Sequence, residues 1–367
     1  MRERFGFFRI IIIIGICCIL LFILYTIGAA SRKNLAVELQ VKTAYSSFSE
    51  TPLFASPSAA STGTIFQLPI NSQPTPNANV SLPSVCANIW GIEPPAELPA
   101  WLGTPQNVSG LHTEIKYFIL AGKLISTGIV NAADCPSRGI SIDGVATTCG
   151  MEKAFPQVVY WQNQFDQEIL TAAQKNEIPA QVMKRLFAQE TQFWPPTSLS
   201  PPAYGVGNVT SPGIEPLFTW YGDIYQNTCR AIFSHTCEEP YHALSLENQQ
   251  LLRGFFISQN LHAYCPTCPN HVDIEKIKSS IDFFAKLLVA NCHQADLILV
   301  NHGYSPSEFS YKDAWRLTLA NYTIGAGCVT NALEDMDRGK SFSWGYFISQ
   351  LNPGCSVDIY VNNITGR

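Results

Sequence analysis

One carboxylate is singled out by the helix that would carry it. In IPAQVMKRLFAQETQFWPP, Pro179 suits the first turn of a helix, and Val182, Met183, Leu186 and Phe187 recur at the spacing of one buried stripe. Three residues beyond Phe187 the same stripe reaches Glu190. A carboxylate there loses hydration and meets the negative end of the helix dipole, and both effects disfavour its charged form. Its pKa should rise, as a general acid for a glycosidic leaving oxygen requires. The structural alternative is a helix-terminal Glu that turns to solvent or caps a backbone N–H. A second stripe, Ala314, Trp315, Thr318, Leu319 and Tyr322, follows a capping-box-like start at Ser310 and Asp313, and Gly325 is expected to end its helix. Tyr322 then faces inward like Glu190, and its hydroxyl needs a partner there. A core tyrosine bonded to some carbonyl would fit the same pattern.

Other constellations are weaker. HAYCPTCPNH places His262, Cys265, Cys268 and His271 at steps of three, a spacing that suits tetrahedral zinc, but in an exported chain a disulfide competes for the two cysteines. No His-Glu-x-x-His offers ligands to a zinc amidase or endopeptidase, and no Gly-x-Ser-x-Gly elbow occurs. Neither a metal nor a cofactor is therefore assigned. Trp194, Tyr204, Trp220, Tyr221 and Tyr225 crowd around the segment after Glu190, where aromatic faces could pack in the core or stack on sugar rings.

The elements that must position these residues lie in the second part of the chain. Residues Ile10 to Ala30 carry no charge, a run long enough to cross a bilayer. Arg2, Arg4 and Arg9 precede it, so the short N-terminus should stay inside and the remainder be exported. Gly28, Ala29 and Ala30 also resemble a signal-peptide cleavage site, which leaves open a retained anchor over 1–33 or a removed signal. Residues 34–85 are rich in Ser, Thr, Pro and Asn without apolar periodicity, and read as a disordered tether. Ten of the 12 cysteines follow that tether, which predicts up to five disulfides whose pairing sequence does not fix. With 23 Lys+Arg against 28 Asp+Glu, net charge −5, nucleic acid is not an expected partner.

The ordered body is expected to be mainly α-helical. Ile274, Ile277, Ile281, Phe284 and Leu288 predict one helix with a single core-facing side, and PSRGISIDGVATT a loop or small hairpin between Cys135 and Cys149.

Glu190-Thr191-Gln192-Phe193-Trp194-Pro195, followed by Ala203-Tyr204-Gly205-Val206-Gly207-Asn208-Val209-Thr210, resembles the lytic transglycosylase and goose-type lysozyme superfamily. The family pattern is Glu-Ser-x-Phe-x-Pro and then Gly-Ala-x-Gly-Leu-Met-Gln-Val-Thr, and it aligns here without a gap. Asn321-Tyr322-Thr323-Ile324-Gly325-Ala326-Gly327 is similar to the family's Ala-Tyr-Asn-Ala-Gly-x-Gly. The resemblance covers roughly residues 160 to 335. It implies a lysozyme-like transglycosylase domain over 156–367, with a Cys-rich insertion at 228–292 and an N-terminal extension at 86–155. It implies Glu190 as the catalytic acid, with Thr191, Tyr204, Asn208, Tyr322 and Thr323 at the substrate. The implied partner is the glycan strand of bacterial peptidoglycan, met by an extracytoplasmic, membrane-anchored protein of the cell envelope; no protein partner is implied. The sequence departs from the family at Thr191 for Ser, Pro202 for Gly, Thr323 for Asn and Asn208 for Gln. The shorter Asn208 is expected to weaken a contact with substrate or with Glu190.

Overall fold

A computed structural model describes residues 85–196, 202–233, 237–337 and 339–366. The expected membrane segment and nearly all of the tether lie outside them. The described chain is mainly helical, with twelve described helices: α1 (Val85–Trp90), α2 (Phe118–Ser126), α3 (Thr148–Asn163), α4 (Asp166–Lys175), α5 (Ala180–Thr191), α6 (Glu215–Trp220), α7 (Gly222–Ile232), α8 (Leu246–Asn260), α9 (Ile274–Asn301), α10 (Tyr311–Asp335), α11 (Trp344–Gln350) and α12 (Asp358–Thr365). The one sheet among the described residues is a two-stranded antiparallel ribbon, β1 (Ala203–Tyr204) with β2 (Val209–Thr210), in which Tyr204 faces Val209.

The longest helix, α9, is the centre of the body and packs on α1, α4, α6 and α10. Ile277, Ile281, Phe284 and Leu288 are buried as expected, and over this first half Glu275 and Ser279 are exposed and Lys278 and Asp282 partly so. The single-sided expectation holds there and ends at Leu287–Cys292, where neighbouring elements enclose the helix on every side. By length and apolar composition α9 could also cross a membrane, yet 61% of its apolar window is buried within the protein. It falls largely inside the stretch 228–292, so that stretch contains part of the central core.

Residues 86–155 belong to the same body, and α3 runs across 155/156 without a break. Their docking is polar as well as apolar. Gln162, fully buried on α3, accepts from the backbone N–H of Ile115 and the Thr113 hydroxyl and donates to the Ile115 carbonyl. It acts as a strand-like partner for an extended segment whose backbone groups would otherwise be orphaned. The segment between Cys135 and Cys149 forms a small hairpin-like turn, with Ile140 bridged to Ala146.

All ten cysteines after the tether pair, as Cys86–Cys292, Cys135–Cys149, Cys229–Cys237, Cys265–Cys268 and Cys328–Cys355. Cys86–Cys292 closes the longest loop and ties α1 to α9. In the chain-entropy account it restricts the unfolded chain most. Thiol titration of the unfolded, unreduced full chain should therefore find no free thiol among these ten; four or more would contradict the pairing.

Candidate active site

Helix α5 begins at Pro179 and buries Val182, Met183, Leu186 and Phe187 completely, so Glu190 arrives where its stripe predicts. A buried Lys184–Asp166 ion pair, whose ammonium also donates to Asn163 Oδ1, fixes this helix against α3 and α4. The helix ends sharply. Gln192 and Phe193 both adopt left-handed backbone, at φ 49° and 66°. For a bulky residue such as Phe193 this conformation costs on the order of 1 kcal/mol or more and persists only where surroundings enforce it. The enforcement is visible. The Phe193 ring is fully buried, its carbonyl accepts from the Trp161 indole at 2.9 Å, and Trp161 and Trp194 stack at 4.6 Å. The Gln192 side chain meanwhile accepts from the N–H groups of Ile119 and Leu120, capping the start of α2.

Glu190 sits in this turn with both carboxylate oxygens occupied. Oε1 accepts from the Tyr360 hydroxyl at 2.5 Å, and Oε2 from Asn208 Nδ2 at 3.2 Å. Burial pushes its pKa up to about 7, against a smaller opposing pull from these two donors. The carboxyl is therefore half protonated near neutrality. No other carboxylate is among the groups acting on it in the described structure. The two nearby in sequence serve elsewhere: Glu215 pairs with Arg253 at 2.5 Å, and Asp223 is exposed at the start of α7.

Asn208 is carried by the β1–β2 turn in left-handed backbone, φ 53°, which Asn tolerates better than most residues. Despite the shorter side chain it still reaches Glu190, at 3.2 Å. Thr191 helps seat the same turn by donating to the Val206 carbonyl at 2.8 Å, so its hydroxyl is committed to backbone. Two glycines let the turn approach the core. A Cβ on Gly207 would lie 2.5 Å from the Phe284 ring and 2.7 Å from the Tyr322 hydroxyl, and Gly205 has φ +66° over the same ring. Gly207→Ala should accordingly destabilise the fold by about 1–3 kcal/mol, lowering the melting temperature, and displace Tyr322. An unchanged melting curve would show that the turn has room to spare.

Tyr322 donates to the Gly207 carbonyl at 2.6 Å, and burial beside Glu190 holds its phenol well above the ordinary range, so it stays neutral. Thr323, next along α10, donates to the Leu319 carbonyl and lies within hydrogen-bonding reach of Tyr360. Gly325, at φ 77° and ψ 165°, ends the first helical segment of α10 as expected, and a second segment follows it to Asp335. Tyr204 lies at the edge of the ribbon, partly exposed, with its ring 5.7 Å from His262. The structure thus brings Glu190, Asn208, Tyr322 and Thr323 together, with Thr191 behind the turn and Tyr204 outside it. Among the five aromatics near the ribbon, Trp194 and Tyr225 are core residues, while Trp220 stacks on His293 at 4.6 Å.

Tyr360 escaped the sequence reading. It lies on α12, where Tyr360, Val361 and Ile364 are buried, and this helix docks on α5 through Arg185 donating to the Ile364 carbonyl at 2.9 Å. Burial and the neighbouring Glu190 keep its phenol well above the ordinary range, so it remains a donor. The available signal was a tyrosine on the apolar stripe of a short helix, the same pattern that marks Tyr322.

The Cys265–Cys268 disulfide removes the thiolates of the suggested zinc set, and no cluster of three metal-ligating side chains occurs among the described residues. No family model matches the chain, and no curated protein or solved structure matches it.

Proposed function

We propose that this protein is a peptidoglycan lytic transglycosylase, cleaving the β-1,4 bond between N-acetylmuramic acid and N-acetylglucosamine. The observation that carries the reading is a buried carboxyl with a pKa of about 7, held by two neutral donors at the motif that resembles the family. In this reading protonated Glu190 gives its proton to the glycosidic oxygen as the C1–O bond breaks. The 6-hydroxyl of the muramic residue then attacks C1 and returns its proton to the carboxylate, leaving a 1,6-anhydro end and the acid regenerated. Tyr360 and Asn208 donate to the carboxylate during its anionic interval, when it needs them most. No cofactor takes part. The glycan strand is the partner, and the N-terminal apolar segment would hold the domain at the outer side of a bacterial membrane.

A lysozyme-type hydrolase is the nearest second reading, but a retaining or inverting pair needs a second carboxylate within about 5 to 10 Å. The separate engagement of Glu215 and the exposure of Asp223 favour the single-acid route. A non-catalytic glycan-binding module is the third. Solubilisation of purified peptidoglycan by the full chain tests the proposal. Release that increases with enzyme and time is expected, whereas binding without release would leave only the binding module.

A further inference from the structure

We infer that the hairpin closed by Cys265–Cys268 is an aromatic platform that binds the glycan strand beyond the bond being cleaved. The inference rests on the glycan-directed reading of the Glu190 site. The hairpin starts against the β1–β2 turn that carries Asn208: the Leu261 carbonyl lies 3.4 Å from where a Cβ on Gly205 would be, three residues before Asn208. From there four rings form a row. Tyr204 and His262 meet edge to face at 5.7 Å, His262 and Tyr264 at 6.3 Å, and Tyr264 and His271 lie tilted at 6.3 Å. Of these, Tyr264 and His271 are exposed and His262 partly so, while Tyr204 packs partly against the core and ties the row to the ribbon.

The row is held rigid by means unrelated to ring packing. Tyr264 bridges Val272, the Cys265 N–H donates to the His271 carbonyl at 3.0 Å, and the Asp273 N–H donates to that of Ala263 at 2.9 Å. The disulfide spans only three positions in sequence, so it restricts the unfolded chain far less than Cys86–Cys292 does. Its larger consequence is to fix the loop between Tyr264 and His271. A platform set in advance binds without the cost of ordering its side chains. Rings that meet edge to face leave faces open, and the apolar C–H face of a pyranose is the surface that fits them. The ligand class is a β-1,4-linked N-acetylhexosamine strand long enough to reach from Glu190 to the hairpin.

The test uses the full chain carrying Glu190→Gln, so that bound sugars stay intact, and titrates it calorimetrically with N-acetylglucosamine trimer and hexamer. The hexamer should bind more tightly than the trimer. Adding Tyr264→Leu, which keeps apolar bulk but removes the aromatic face, should lower hexamer affinity on the order of five- to tenfold, the size of a ring-face contact, and leave the trimer unaffected. Tyr264→Phe should restore the hexamer. A Tyr264→Leu chain with the parent's melting temperature and the parent's hexamer affinity would overturn the platform and leave the proposed function standing. Failure of the Glu190→Gln chain to bind either sugar would overturn both.

Discussion

Glu190→Gln should abolish release of fragments from peptidoglycan while making the protein more stable at alkaline pH. Loss of general acid–base catalysis costs roughly 10² to 10⁴-fold, and one residue serving both proton transfers should cost at least that. The stability effect has a definite sign. In the folded protein the carboxyl titrates at about 7, above its unfolded value of 4.5, so between those values the folded state holds the extra proton. The contribution of Glu190 to stability is therefore greatest below pH 4.5, falls as pH rises toward 7, and is level above. At about 1.36 kcal/mol per unit, the wild type should lose on the order of 3 kcal/mol relative to Glu190→Gln across that window. Chemical denaturation of both proteins at pH 4 and pH 8 checks this. Equal stabilities at pH 4 and a more stable mutant at pH 8 are expected; a gap that does not grow with pH would mean that Glu190 is not buried as a strained acid.

Tyr360→Phe should produce the second largest change, and in a way that mere loss of packing would not. The phenol is the closer of the two donors to Glu190, and it pulls the carboxyl's pKa down against burial. Deleting only the hydroxyl keeps the ring in the core but leaves Oε1 without its donor, so the pKa should rise further. Because the reaction needs the protonated acid first, kcat/KM in the wild type should fall as pH passes about 7. In Tyr360→Phe this alkaline limb should shift to higher pH and the maximum rate should fall about tenfold, since the anion is now poorly held. A pH–rate profile superimposable on wild type would return Tyr360 to a packing role.

The contrast between Glu190 and Tyr360 shows what the sequence makes legible. Glu190 sits on a 3.6-residue stripe whose other members are all apolar, so both its burial and its raised pKa follow from local spacing. The same holds for Tyr322 and for the Ser310 cap, which accepts from the Asp313 N–H and donates to the Asp313 carboxylate. Tyr360 completes the site from 170 positions away, and nothing local in DIYVNNIT says which helix it will face. Long-range choices were equally hidden in the cysteines: that ten would pair follows from export and even number, but that Cys86 would reach Cys292 depends on α1 meeting α9. Gly325 ends its helix as its sequence position suggests, and the next residues start another along the same course. The apolar stripe of α9, by contrast, could not report that its remaining sides are also covered from Leu287 to Cys292, because small and amide residues such as Ala290 and Asn291 are as compatible with a crowded helix interface as with a surface.

The central claim concerns how the bond is broken, and the mass of the product reads it directly. Purified peptidoglycan digested with the full chain, followed by mass spectrometry of the released fragments without prior chemical reduction, should give muramic ends one water lighter than hydrolysis would leave. That mass follows from Glu190 acting alone, with the 6-hydroxyl rather than solvent closing the reaction. Fragments carrying an ordinary reducing end would contradict the account and require a water-activating partner for Glu190.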